Sequence, residues 1–440
     1  MSRAEAKSER RLAELGLGVL AAVVIVFGYA LLGLAKSPNV PADLYLVIGV
    51  VVGLFVMAHL AVRRFAPHAD PTLLPLVMVL NGVGFIAIAR LDPTLARVQA
   101  IWTGISLVGF VATLVLVRPV RVLQRYRYTF LLVGLVALVL PLAPGIGRQV
   151  NGSRLWVRLG PINFQPGEAA KVLLIVFFAA YLIEKRELLA SGARRFGPLR
   201  VPDPKHLGPL VLPWIASILV MVQEKDLGSS LLFFAVFVAM LYMATNRSSY
   251  LVAGAVLFIA GAFAGYTYFS HVHTRVSAWI NPWAHAKTSG YQLIQSLFSF
   301  GTGGFAGTGL GLGRPKLIPA ASTDFIFAVI GEELGLLGTI AIVIAFLLLV
   351  GSAFRIALHT QRPFEQLLSA GFATVLGLQT FVIVGGVTRL IPLTGITLPF
   401  VSYGGSSLVT NYILIALLLR VSHESATTRS RQTNRTNTVA

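Results

Sequence analysis

Residues 325–350 read FIFAVIGEELGLLGTIAIVIAFLLLV. Apart from Glu332, Glu333 and Thr339, every position is apolar or glycine. At 1.5 Å per residue, a helix of this length passes the ~30 Å hydrocarbon layer of a bilayer. It is therefore read as a membrane-spanning helix. Runs of the same kind recur on both sides of it. Candidate spans lie near 13–34, 43–63, 72–90, 98–118, 127–143, 167–184, 208–224, 228–245, 250–269, 325–350, 366–388 and 405–421. The expected fold is all-α and polytopic, with about twelve transmembrane helices. The spans near 208–224 and 228–245 are the least clearly separated, because only the polar stretch Gln223 to Asp226 divides them.

Composition agrees. The chain has 440 residues, of which 56% are hydrophobic and only 12% charged. A soluble protein has no means of covering that much apolar surface. The net charge of +19 is spread in short clusters between apolar runs, which excludes the single basic patch of a nucleic-acid binder and leaves membrane lipids as the partners of those clusters. With the N-terminus inside, the inner segments carry roughly twice the Lys and Arg of the outer ones, so both termini are expected in the cytoplasm. Residues 1–12 form a basic cytoplasmic N-terminus, and the apolar run after it is too long for a signal-peptide core. Cysteine is absent, which removes disulfides and thiolate metal sites.

The outer segments 145–165, 270–324 and 389–404 are the elaborate ones; the inner face has one substantial loop, 185–206, and a polar tail, 422–440, expected to be disordered. Elaborate loops on one face point to chemistry there, although they would also serve simply to cap the bundle. No internal repeat of the transporter kind is visible.

Ionisable groups at membrane depth are expensive and need individual reasons. Glu168 falls in the first turn of a helix opened by Pro166, where the helix dipole favours an anion. Lys171 lies one turn deeper on the same face, within ion-pair reach of Glu168. A structural pair and a cation aimed at substrate phosphate both fit. Asp226 sits between two spans on the outer side. As a general base it would face a cavity, but the residues alone favour the simpler role of N-cap. The glycine-rich stretch Gly301 to Gly313 lacks the Lys-Ser/Thr of a P-loop and reads as a flexible surface or re-entrant loop. Glu332 and Glu333 should face protein or water. His271 and His273 have no clear third ligand, which argues against a metal site. At this level an enzyme and a transporter remain equally open.

Four separated motifs carry more. Leu398-Pro399-Phe400-Val401-Ser402-Tyr403-Gly404-Gly405-Ser406-Ser407, preceded by Pro392-Leu393-Thr394-Gly395, resembles the signature of the SEDS family, the shape, elongation, division and sporulation proteins that include RodA and FtsW. Gly152-Ser153-Arg154-Leu155-Trp156 with Phe164-Gln165-Pro166-Gly167-Glu168 and Lys171 resembles the family's second outer-loop motif. Asp226-Leu227-Gly228-Ser229 resembles its Asp-Leu-Gly-Thr/Ser motif. Trp279-Ile280-Asn281-Pro282-Trp283, Gly290-Tyr291-Gln292 and Thr323-Asp324-Phe325 resemble its large outer loop, 270–324. Leu155, Ser322 and Ile383 depart from the family's usual residues.

The resemblance covers residues 72–421 and implies a ten-helix core, to which residues 13–71 add two N-terminal helices. That addition and the short tail match the RodA-like elongation branch better than the FtsW-like division branch. It implies a peptidoglycan glycosyltransferase of the bacterial cytoplasmic membrane, acting on Lipid II at the outer face for cell elongation and shape. In that reading Asp226 is the catalytic base. Lys171 and Arg154 offset the charge of the pyrophosphate, Glu168 orients Lys171, and Thr323, Asp324, Ser402 and Tyr403 contact substrate. Mg²⁺ or Mn²⁺ is the candidate ion, with no organic cofactor, and a class B penicillin-binding protein is the implied partner. The competing readings are a Lipid II flippase and a non-catalytic scaffold.

Overall fold

The computed structural model describes residues 3–36, 44–150, 153–159, 162–190, 194–196, 199–201 and 204–439. Gly152 of the second motif lies outside the described residues. The long helices are α1 (Arg3–Lys36), α2 (Leu44–Phe65), α3 (Leu73–Leu91), α4 (Pro93–Leu116), α5 (Arg127–Val139), α6 (Pro166–Glu184), α7 (Pro204–Gln223), α8 (Leu227–Thr245), α9 (Ser248–Tyr268), α10 (Ile326–His359), α11 (Pro363–Val387) and α12 (Gly405–Val439). Ten of these carry a span long and apolar enough to cross a membrane. The exceptions are α5 and α7, each with only a shorter apolar stretch. In α7 the interior prolines Pro209 and Pro213 remove backbone donors.

Three expectations need correction. The outer segment after α5 is not purely irregular. It forms an antiparallel sheet of β1 (Gly147–Val150), β2 (Ser153–Leu159) and β3 (Ile162–Phe164), in that order. The run Leu155-Trp156-Val157-Arg158-Leu159 is rich in residues that favour strands, so the all-α description holds only for the membrane part. A second small hairpin, β4 (Arg194–Phe196) with β5 (Leu199–Val201), falls in the inner loop. The C-terminal tail is helical, since α12 runs on to Val439 instead of ending near 421. Arg420 and Glu424 pair at i, i+4 (3.3 Å), and Thr427 and Thr428 donate to the carbonyls of His423 and Glu424.

The chain divides into two compact units. The first comprises Met1–Val117, Thr274–Ile356 and Gln379–Ala440; the second comprises Arg118–His273 and Ala357–Leu378. In the first, α12 is the central helix, with 83% of its apolar window buried. The buried Arg420 on α12 gathers the carbonyls of Phe65 (2.7 Å) and Val117 (3.0 Å), so one guanidinium satisfies the C-terminal ends of α2 and α4. Glu14 of α1 pairs with Arg63 (2.8 Å) and His59 (3.0 Å) of α2, which closes a buried charge at that end. Asp92 alone links α3 to α4: it ends one helix and caps the next, its carboxylate accepting from Thr94 N (2.7 Å).

The glycine-rich stretch also differs from the flexible loop expected. Gly335 (φ 66°) breaks α10, which exposes carbonyls that a continuous helix would have bonded. The glycine segment satisfies them: Thr308 N and Gly309 N donate to the carbonyls of Glu332 and Glu333, each at 3.0 Å. The two carboxylates are held in turn. Arg314 N donates to Glu332 (2.7 Å), and Gly311 N and Arg90 donate to Glu333 (3.1 and 2.9 Å). A Cβ on Gly307 would stand 2.3 Å from Glu333 O, which explains why glycine is needed there.

In the second unit α9 is peripheral, with 6% of its window buried. Its exposed Val256, Ile259 and Phe263 present the apolar surface expected toward lipid. Buried Phe177 and Phe178 on α6 pack on one another, and Phe178 packs on Phe233 and Phe237 of α8.

Candidate active site

The chemistry-bearing residues of the second unit gather at the junction of α7 and α8 and at the start of α6. The α7 helix ends in a Schellman turn: Asp226 N–H donates to Met221 O (2.8 Å) and Lys225 N–H to Val222 O (3.0 Å). Lys225 occupies the left-handed seat (φ 64°) that usually holds glycine. Asp226 then caps α8 directly, its Oδ1 accepting from Ser229 N (3.0 Å). One carboxylate oxygen is thus fixed, and no intervening loop residues lie between the two helices. Lys225→Gly should raise stability by about 1 kcal/mol, because a Cβ in that conformation is unfavourable. A higher thermal midpoint for the purified variant would show this; an equal or lower one would mean that the lysine ammonium compensates for its backbone.

Pro166 opens α6 and places Glu168 in its first turn. Lys171 Nζ lies 2.9 Å from Glu168 Oε2, and both side chains are buried (7% and 6% exposed). The pair acts on Asp226: burial raises that carboxyl above its usual range, the Ser229 hydrogen bonds and the Lys171 charge oppose the rise, and Glu168 adds to it. The three sequence-identified residues Glu168, Lys171 and Asp226 therefore form one electrostatic cluster.

Glu224 joins them, a residue inside the polar stretch Gln223 to Asp226 that the sequence reading did not single out. It is buried, and its Oε1 has no hydrogen-bond partner. Burial, and then the nearby Asp226 charge, push its carboxyl up to about 8. At neutral pH Glu224 is thus predominantly protonated beside Asp226. The signal that would have found Glu224 was available: a second acid two residues before the first, just past the end of α7. Among the described residues, no three His, Cys, Asp or Glu side chains come together as a metal site. Arg154 stands on β2 with its side chain exposed.

The remaining candidates lie in the first unit. The segment 391–404 is irregular backbone between α11 and α12, with Gly395 (φ 78°) and Phe400 (φ 65°) in left-handed conformations. A buried phenylalanine there is a strained position, held by edge-on packing against Tyr412. Ser402 is buried, and its hydroxyl is used twice: it donates to Thr323 O (2.6 Å) and accepts from Leu398 N (2.9 Å). Tyr403 N donates to Ser322 O (2.8 Å). The signature segment and the Thr323-Asp324 turn are thus stitched together, with Ser402 as the brace. Asp324 Oδ2 and Arg275 flank Gly395, and Arg275 also donates to Thr394 O (2.7 Å). Trp279 and Arg389 exchange donors, Trp279 Nε1 to Arg389 O (3.1 Å) and Arg389 Nε to Trp279 O (3.0 Å). Arg275 and Arg389 were not expected from the sequence, since their partners are backbone carbonyls that carry no side-chain signal.

A family model described as "Cell cycle protein" (FTSW_RODA_SPOVE) matches residues 64–427. The chain is 45% identical to "Peptidoglycan glycosyltransferase RodA" of Mycobacterium tuberculosis over 426 residues, which is 94% of this chain and 91% of that one. It is 38% identical to "Probable peptidoglycan glycosyltransferase FtsW" of Geobacter metallireducens over 320 residues, covering 72% of this chain and 82% of the relative. Among solved structures, a chain from the "Structural coordination of polymerization and crosslinking by a peptidoglycan synthase complex" superposes with a TM-score of 0.68 at 25% identity, covering 81% of this chain and 98% of that one. The crystal structure of Thermus thermophilus RodA superposes with a TM-score of 0.57 at 26% identity, covering 80% and 96%.

Proposed function

Because the chain belongs to the FtsW/RodA/SpoVE family of cell cycle proteins, we infer that it is a peptidoglycan glycosyltransferase, a multi-pass protein of the bacterial cytoplasmic membrane. Its substrate is Lipid II, and it works at the outer face. The observation that carries this reading is the fixed Asp226 carboxylate in the field of the buried Glu168–Lys171 pair.

Asp226 takes the proton from the acceptor sugar hydroxyl. The oxygen so activated attacks the anomeric carbon of the donor, a new glycosidic bond forms, and undecaprenyl pyrophosphate leaves with the bonding electron pair. The Ser229 N–H bond holds one oxygen of Asp226 and leaves the other for the proton. Burial raises its pKa toward the working pH, which suits a base that later gives the proton up. Lys171 faces the negative charge that develops on the leaving group, and Glu168 keeps the ammonium in place. Arg154, exposed on the outer sheet, adds charge from the loop side.

Mg²⁺ fits this site as an ion held through one or two carboxylates and substrate phosphates rather than in a protein cage; Mn²⁺ fits likewise. The unpartnered Glu224 Oε1 supports that fit, and Glu224, giving up its proton, would hold the ion together with the substrate phosphates. When bound, such an ion would neutralise pyrophosphate charge. Within the first unit, Thr323, Asp324, Ser402 and Tyr403 belong to one braced outer segment, with Ser402 acting through the backbone it holds.

All twelve long helices span the bilayer, α5 and α7 as the short members, with both termini in the cytoplasm. A class B penicillin-binding protein cross-links the product, and the two N-terminal helices favour a role in elongation. The purified protein, with and without that partner, is given Lipid II and a divalent metal, and the products are run on a gel. Glycan polymer is expected. Lipid II crossing vesicles with no polymer under any condition would replace this reading by the flippase.

A further inference from the structure

The first unit contains a cavity of about 730 Å³ that the mechanism does not use. Its walls are α1 to α4, with Tyr412 of α12 beside them. Both Leu46 and Ala58 of α2 line it, so it runs along twelve residues of helix, about 18 Å. It is therefore elongated along the helices. The lining is mostly apolar and includes Tyr29, Leu54, Phe55, Met78 and Phe85. The polar Asn81, Thr103 and Tyr412 bond to one another, Asn81 Nδ2 reaching Tyr412 Oη (3.0 Å) and Thr103 Oγ1 (3.4 Å).

At membrane depth the medium around such a slot is hydrocarbon. The slot is apolar along its length and carries one cation at its outer end, the pattern of a single lipid with its headgroup. An undecaprenyl chain has several times the length the slot provides. One acyl chain fits. The charged residue in the lining is Arg97, in the second turn of α4 at the outer end. Its side chain is exposed and makes no ion pair among the described residues; the acid just before it, Asp92, is engaged with Thr94 N.

We propose that this slot binds one acyl chain of an anionic outer-leaflet phospholipid whose phosphate is held by Arg97. Two of its four walls, α1 and α2, belong to the region before the family match begins at residue 64, and the solved relatives cover only 80–81% of this chain while nearly all of their own is used. The mycobacterial relative, matched over 94% of this chain, shares most of that region. The site is therefore a property of the chains that carry the two added helices.

The test uses the full chain in vesicles containing phosphatidylglycerol with a diazirine in its acyl chain, followed by irradiation and peptide mapping. Wild type should be labelled on α2 and α4. Ala100→Trp, which fills the slot, and Arg97→Gln, which removes the charge, should each lower that labelling about tenfold, the equivalent of one charge-assisted hydrogen bond. A phosphatidylcholine probe should label weakly throughout. Should Ala100→Trp fail to fold, judged by its thermal midpoint, Met78→Trp fills the same space. Equal labelling by the two probes, unchanged labelling of a folded slot-filled variant, or displacement of the probe by undecaprenyl phosphate more readily than by unlabelled phosphatidylglycerol would each overturn the proposal.

Discussion

Asp226→Asn should lose polymerisation by ~10²–10⁴-fold, the usual contribution of a positioned general base, while the protein still folds and inserts. Asparagine is the informative replacement because Asp226 does two jobs. It caps α8 through Ser229 N, and its backbone N–H closes the Schellman turn of α7. Asparagine caps a helix about as well as aspartate, so the fold is kept and only the base is lost. Asp226→Ala would remove the side-chain cap along with the base and cost about 1 kcal/mol of stability, which blurs the result. Polymer on a gel and the thermal midpoint are measured on the same sample. Near-normal polymer from folded Asp226→Asn would remove Asp226 from the chemistry and leave it the cap that the residues alone suggest.

Lys171→Met should unfold or severely destabilise the protein, by about 3–5 kcal/mol, because it leaves Glu168 as a buried carboxylate without the ammonium that pairs with it. Adding Glu168→Gln should recover most of that stability, since replacing a whole buried pair is often neutral. The double variant separates the two roles of the pair. If Lys171 stabilises charge on the leaving pyrophosphate, the refolded double variant remains inactive by at least ~10²-fold. If it polymerises Lipid II near the wild-type rate, the pair is structural, and the offsetting cation has to be sought in Arg154.

Much of this protein was legible in its sequence. The lengths of the apolar runs determined where most helices lie, because the bilayer leaves the backbone no alternative to a helix or a closed barrel. The i, i+3 spacing of Glu168 and Lys171 determined their pairing, which needs only helical geometry. Asp226 as the N-cap of α8 followed from its position between two spans. Other features depended on contacts between segments far apart in the chain. The glycine-rich stretch reads as flexible by itself, and it becomes fixed only because the break at Gly335 offers it carbonyls to bond. Ser402 looks like a substrate ligand in its motif, but its hydroxyl is engaged by Thr323 and Leu398. Arg420 is a cation in an apolar helix until Phe65 and Val117 supply the carbonyls that explain it. Glu224 acquires its raised pKa only from burial and from Asp226 beside it. Local periodicity is written in neighbouring residues, so the sequence by itself determined the helices, the Glu168–Lys171 pair and the cap at Asp226. Hydrogen-bond partners and burial are set by which distant segments meet, so only the tertiary structure decided the roles of Glu224, Ser402, Arg420 and the glycine-rich segment.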